Sequence, residues 1–175
     1  MRLLLIALLA GCAHTRHVVD SGDRSFPLET RRILALAEDD QALASLELVR
    51  AEAALDDARV YAADLRDAGA ELSDARVWTA LAKARVAAAQ RAVDQARARR
   101  GLSWARLALT RGETALRHDR WPANLERLLR DVAAWEQRWQ EATAERRQAD
   151  EALRVAEHDA WRTGPSPEMV AALSR

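Results

Sequence analysis

Leu34, Gln41, Leu48, Leu55 and Ala62 recur seven residues apart, and Ala37, Ala44, Ala51, Ala58 and Leu65 repeat that interval three residues later. Apolar side chains spaced alternately three and four apart fall on one stripe of an α-helix, the seam of a coiled coil. Only Gln41 interrupts the stripe. Alanine in nearly every second slot lets a neighbouring helix approach closely. It also contributes little buried area per turn, so such a helix gains its stability through length. The pattern predicts a first helix over residues 29–67. Gly69, within Asp67-Ala68-Gly69-Ala70-Glu71-Leu72-Ser73-Asp74, reads as a turn, with Ser73 a candidate N-cap for the second helix.

The second stretch, residues 74–117, carries a less regular seam. Ala75, Ala82, Ala89 and Ala96 form a seven-spaced row, and Val86 and Val93 follow two of them by four residues. Gly101 and Ser103 are expected to mark a bend or a shift of register. His118-Asp119-Arg120-Trp121-Pro122 forms the next break, because proline suits a first helical turn but not a helix interior. The third stretch, residues 122–162, has the clearest seam. Leu125, Val132, Trp139, Arg146, Leu153 and Ala160 occupy one slot, and Leu128, Trp135, Ala142, Ala149 and Ala156 the other. Thr163-Gly164-Pro165-Ser166-Pro167 ends it and leaves a tail over 163–175.

Three helical segments, each about 60 Å long at 1.5 Å per residue, predict an all-α fold of long antiparallel helices, a three-helix bundle. The alternative is a two-helix coiled-coil hairpin with a partly detached third helix. Composition agrees. Ala, Leu, Arg and Glu abound, and the chain has only 6 glycines and 4 prolines in 175 residues.

Charge adds a feature that periodicity does not contain. The net charge is zero, which gives no case for nucleic-acid steering. Its distribution is uneven. Residues 29–74 hold five Arg against twelve acids, 75–120 eleven Arg or Lys against three, and 121–162 seven against nine. A basic second helix is therefore flanked by more acidic ones. Lys83, Arg85, Arg91, Arg97, Arg99, Arg100, Arg106, Arg111 and Arg117 make it so. Two readings stand: these cations form a solvated face paired with the acidic first helix, or Arg85, Arg91, Arg97, Arg99, Arg100 and Arg106 form a surface for an anionic partner.

The chain opens differently. Arg2 precedes an eight-residue apolar run, Leu3 to Ala10, which is too short to span a bilayer but right for the core of a signal peptide. Leu9-Ala10-Gly11-Cys12 resembles the lipobox of bacterial lipoproteins. That resemblance covers about a dozen residues and names no narrower family. It implies a signal peptide over 1–11, recognition by signal peptidase II through Leu9, Ala10 and Gly11, and diacylglyceryl attachment and acylation at Cys12. Two or three acyl chains make a durable anchor where one does not. Ala13 stands where an aspartate would retain an enterobacterial lipoprotein in the inner membrane. The resemblance thus implies the periplasmic face of the outer membrane. Residues 12–28, with Ser21, Gly22, Ser25 and Pro27, read as the lipidated cysteine and a flexible tether, leaving 29–162 as the folded bundle.

Candidate chemistry is sparse. Cys12, His14 and His17 have no common zinc spacing, and a lipidated sulfur cannot serve as a thiolate ligand, so no metal is expected. No phosphate loop, C-x-x-C, H-E-x-x-H or G-x-S-x-G is present. His118-Asp119 and His158-Asp159 are adjacent pairs, which do not face one another on a helix. No cofactor and no catalytic residues are expected. Trp135 and Trp139 fall on the third seam and read as packing residues. Trp121 and Trp161 are candidates for capping the bundle ends, and Trp161 alternatively for anchoring a partner.

The shape resembles that of the small murein-linked lipoprotein and of the helical hairpins of efflux adaptors, but matches neither. The former has one helix and a C-terminal lysine where this chain has Ser174-Arg175, and the latter set their hairpin between β-rich domains. The expectation is an outer-membrane-anchored periplasmic lipoprotein with a scaffold role, contacting the membrane through its lipid, an envelope protein, and other copies through its helices. The alternative is an accessory subunit of an envelope transport, motility or assembly complex. Leu36, Leu43 and Leu46 lie off the first seam and would then form the partner interface.

Overall fold

A computed structural model describes residues 19–69, 75–120 and 123–164. Three helices account for most of them: α1 (Leu28–Gly69), α2 (Ala75–Arg117) and α3 (Leu125–Thr163). They pack antiparallel, with α2 in contact with both α1 and α3. Among the described residues no Cα of α1 lies within 8 Å of one of α3. The bundle is therefore open, and α2 is the shared partner. This is the three-helix architecture rather than a hairpin with a loose third helix.

The α1 seam is buried or half-buried at every one of its ten positions. Leu48 and Leu55 pack against Val93 and Ala96 of α2, and Ala62 and Leu65 against Trp78, Leu81 and Ala82. On α3 the seam faces α2 as expected, yet only Ala160 is fully buried, and Arg146 is exposed. A helix with a neighbour on one side only leaves the flanks of its seam in water. The irregularity of α2 has the complementary cause. It carries two contact faces, so apolar and small residues recur at more positions than a single heptad accounts for.

The α2 helix runs without a break from Ala75 to Arg117 through Gly101 and Ser103. Gly101 sits under an aromatic ring. A Cβ there would lie 2.3 Å from Cε3 of Trp135. Gly112 plays a milder form of the same part beneath Leu128, whose Cδ1 would be 2.7 Å away. Each glycine costs the helix about 1 kcal/mol relative to alanine, and each gives α3 a closer seat.

Helix ends follow local chemistry. After Arg117 the chain turns through Asp119 at φ 51°, and Arg120 N–H donates to the Ala115 carbonyl at 2.9 Å. That bond closes the helix in the manner of a Schellman turn, with aspartate in the left-handed slot usually held by glycine. The third helix starts at Leu125, later than the 122 expected from Pro122. Asn124 caps it, its side chain accepting from Arg127 N–H at 2.9 Å. Gly164, at φ 72°, ends it. The turn expected around Ser73 and the Trp121-Pro122 step lie outside the described residues.

The tether reading of 12–28 needs correction over its second half. Residues 19–27 are folded onto the end of the α1–α2 pair. Val19 and Phe26 are 2% and 4% exposed and cluster with Leu34 and Ala115. Phe26 also meets the His118 ring, centroids 5.0 Å apart, and the Arg120 guanidinium at 5.4 Å. Asp20 and Asp23 shape the turn by accepting from Gly22 and Ser25 N–H, each at 2.9 Å. Ser21 Oγ donates to Glu38 at 2.6 Å and pins this strap to α1.

Candidate interaction surface

The six arginines read as a candidate anionic-partner surface are set among the protein's own acids. Arg99 makes a two-pronged pair with Asp40, one prong at 3.1 Å, and Arg97 meets Glu52 at 3.3 Å, both acids on α1. On the other flank Arg91 meets Glu145 at 2.9 Å, Arg85 Glu157 at 3.5 Å and Arg106 Glu136 at 3.5 Å, all on α3. Arg111, which sequence reasoning placed on the same helix, reaches Glu38 at 3.1 Å. Arg100 alone of the six has no acidic partner among the described residues. It lines an open groove of about 640 Å³ with Trp104 and Trp135.

Charge segregation thus works as alignment. A basic central helix is matched on both flanks, each exposed pair contributing about 0.2–1 kcal/mol. The Arg99 guanidinium, hydrogen-bonded to Asp40, holds that carboxyl below its ordinary value despite partial burial. Burial pushes Glu38 upward, but hydrogen bonds from Ser21 and Arg111 outweigh it and leave the carboxyl lowered.

The remaining candidates fall apart spatially. His118 packs on Phe26. His158 and Asp159 are exposed neighbours, 3.9 Å apart. Trp78 is buried, Trp135 and Trp139 are half-buried on the α3 seam, and Trp104 is half exposed. Trp161 is 84% exposed at the rim of a cavity of about 220 Å³ that also touches Tyr61, Trp78 and Arg85. Leu9, Ala10, Gly11 and Cys12 lie outside the described residues, as does Trp121. No helix among the described residues is long and apolar enough to cross a membrane.

One surface stands out because nothing among the described residues covers it. Heptad positions opposite the buried α1 seam carry Leu36 (70% exposed) and Leu43 (60% exposed), with Leu46, Val49 and Val60 beside them. Since the α1 seam stays buried from Leu34 to Leu65, these positions keep to the opposite side of the helix throughout. Sequence reasoning found Leu36, Leu43 and Leu46 but missed Val49 and Val60. It also missed the strap, although Phe26, the chain's only phenylalanine, marked it. Single exposed leucines are ordinary, but Leu36, Leu43 and Leu46 recurring on one helix face make that face a candidate contact surface.

Comparison with protein-family models, with curated proteins and with solved structures finds no match to this chain.

Proposed function

We propose that this protein is a lipid-anchored scaffold of the bacterial cell envelope, held through Cys12 at the periplasmic face of the outer membrane. In this reading it presents the outer face of α1 to a protein partner and performs no catalysis. The observation that carries the scaffold role is the contrast between two surfaces. Six arginines of α2 are matched by acids of α1 and α3, whereas the apolar residues on the outer face of α1 have no partner among the described residues. The anchor rests on the order of charge, apolar run and Leu9-Ala10-Gly11-Cys12 at the start of the chain. The packed strap supports it by shortening the link: six residues, 13–18, separate Cys12 from the buried Val19. The same apolar row favours a second reading, an accessory subunit seated on an envelope transport, motility or assembly complex.

The anchor is tested by feeding cells a labelled fatty acid with and without an inhibitor of signal peptidase II. The protein should take up label, accumulate as precursor under the inhibitor, and leave the membrane fraction when Cys12 is replaced (Cys12→Ser). An unlabelled protein, or a Cys12→Ser protein still held in the membrane fraction, refutes the anchor.

A further inference from the structure

The outer face of α1 carries a second heptad seam, and its charges show what fits it. The row reads Arg32, Leu36, Asp39, Leu43, Leu46, Arg50, Ala53, Asp57 and Val60, spaced alternately four and three. This is the a/d spacing of a coiled coil, on the side of the helix facing away from α2. Every member is exposed. Arg32, Asp39, Arg50 and Asp57 have no ion-pair partner among the described residues, whereas Glu38, Asp40 and Glu52 on the inner flanks are all paired.

The unpaired charges are arranged symmetrically. About a point between Ala44 and Ser45, Asp39 and Arg50 are equidistant, and so are Arg32 and Asp57, Leu36 and Ala53, and Leu43 and Leu46. A two-fold axis running beside this face at the level of that point, perpendicular to the helix, lays an antiparallel copy of α1 on it. It sets Arg32 against Asp57 and Asp39 against Arg50, twice each, around a centre of Leu43 and Leu46. A two-fold interface must be self-complementary in this way.

The alternatives fail on the same residues. A parallel pair would stack Asp39 on Asp39 and Arg50 on Arg50, and do the same at Arg32 and Asp57. An antiparallel pair slipped by one heptad would set Asp39 against either Leu43 or Asp57. Opposed like charges and unpartnered charges in a seam select register. We infer that α1 binds a second copy of this chain, antiparallel, through the Arg32–Val60 face, with Asp39–Arg50 and Arg32–Asp57 as reciprocal ion pairs. This deepens the reading of the α1 face as the interaction surface and rests on it, but it is independent of the anchor.

The test uses the full chain carrying Cys12→Ser, so that neither lipid nor a native thiol contributes. Sedimentation should show a dimer. Asp39→Arg or Arg50→Asp should each weaken association by about tenfold or more, and the two together should restore it. All four residues are exposed, so helical content and melting of the monomer serve as the folding control. Orientation is read by disulfides. Chains bearing Asp39→Cys mixed with chains bearing Arg50→Cys should crosslink to each other, while each alone should not. In the antiparallel pair two copies of position 39 stand roughly 16 Å apart along the axis. A chain that stays monomeric at about 100 µM, a millimolar-or-weaker association, overturns the inference. So does a dimer indifferent to the charge reversals, or one whose Asp39→Cys chains crosslink among themselves.

Discussion

Replacing Gly101 by alanine sets two effects of known sign against each other. In an isolated helix the change is favourable by about 1 kcal/mol, because glycine has the larger backbone entropy to lose. Here the new methyl would sit 2.3, 2.4 and 2.6 Å from three carbons of the Trp135 ring. The indole cannot rotate a single terminal atom aside, and the Arg138 guanidinium lies over it at 4.7 Å from the ring centre. The ring or the whole of α3 must therefore move outward. Overpacking of this kind costs about 1–3 kcal/mol, so Gly101→Ala should be net destabilising by about 1 kcal/mol. That corresponds to a melting-point loss of about 2–4 °C for a chain of this size.

The diagnostic measurement is the same substitution in a Trp135→Ala background. With the ring gone the clash is gone, and Gly101→Ala should raise stability by about 1 kcal/mol, a reversal of sign and a coupling of about 2 kcal/mol. Gly112→Ala is the internal control. Its nearest neighbour is the terminal Cδ1 of Leu128 at 2.7 Å, which can swing away, so the propensity gain should survive. Urea denaturation followed by helical circular dichroism reads all four variants. If Gly101→Ala is stabilising with Trp135 in place, α3 does not seat on α2 at this point, and the packing account of both glycines is wrong.

Acidification should weaken the α1–α2 junction. Asp40 and Glu38 are both held below their ordinary 3.8 and 4.5 in the folded protein. Their contribution is complete above those values and is lost as pH falls through the lower folded ones, so a pH series of melts should drop steeply below about 4.5, and Asp40→Asn should flatten that limb. Phe26→Ala should cost about 3 kcal/mol, at the low end for a buried phenylalanine. The loss should appear first as proteolysis and fast amide exchange over residues 19–27, with protection at the α2–α3 contact unchanged.

The heptads of α1 and α3 could be read directly because each helix packs along one stripe, and a stripe with one neighbour is a single period. The second helix could not, since two superposed contact faces have no single period. The sequence therefore offered Gly101 as a bend or a shift of register and did not show that it seats Trp135. What makes it a seat is Trp135, thirty-four residues away and recognisable only once α3 is docked. The basic helix was legible as charge, but its partners were not. Segregation by thirds told that α1 opposes α2 and said little about Glu136, Glu145 and Glu157, because α3 is nearly balanced overall and only its inward acids matter. The strap was hidden for a different reason. Two buried side chains, Val19 and Phe26, hold a segment whose glycine, serines and proline all speak for a tether.

The proposed Cys12 anchor and the proposed pairing face, taken together, constrain each other. Leu28 lies about 25 Å along α1 from the dyad between Ala44 and Ser45, so an antiparallel pair separates the two α1 starts by about 50 Å. The strap fixes Val19 at that same end of each bundle, against Leu34 and Ala115. From Val19 back to Cys12 the chain can extend no more than roughly 25 Å. With the proposed anchor, an upright dimer would hold one of its two Cys12 ends about 50 Å off the membrane, beyond that reach. Two anchors in one leaflet are satisfied together only when the paired α1 helices lie along the membrane with the dyad pointing away from it. In that pose each bundle would contribute the acyl chains of its proposed anchor, and either anchor would keep the other close to the surface. A monomer has no such restriction and can stand away from the surface. Under the two proposals together, the charge register of α1, rather than the length of the helices, decides whether the protein stands out from the membrane or lies against it.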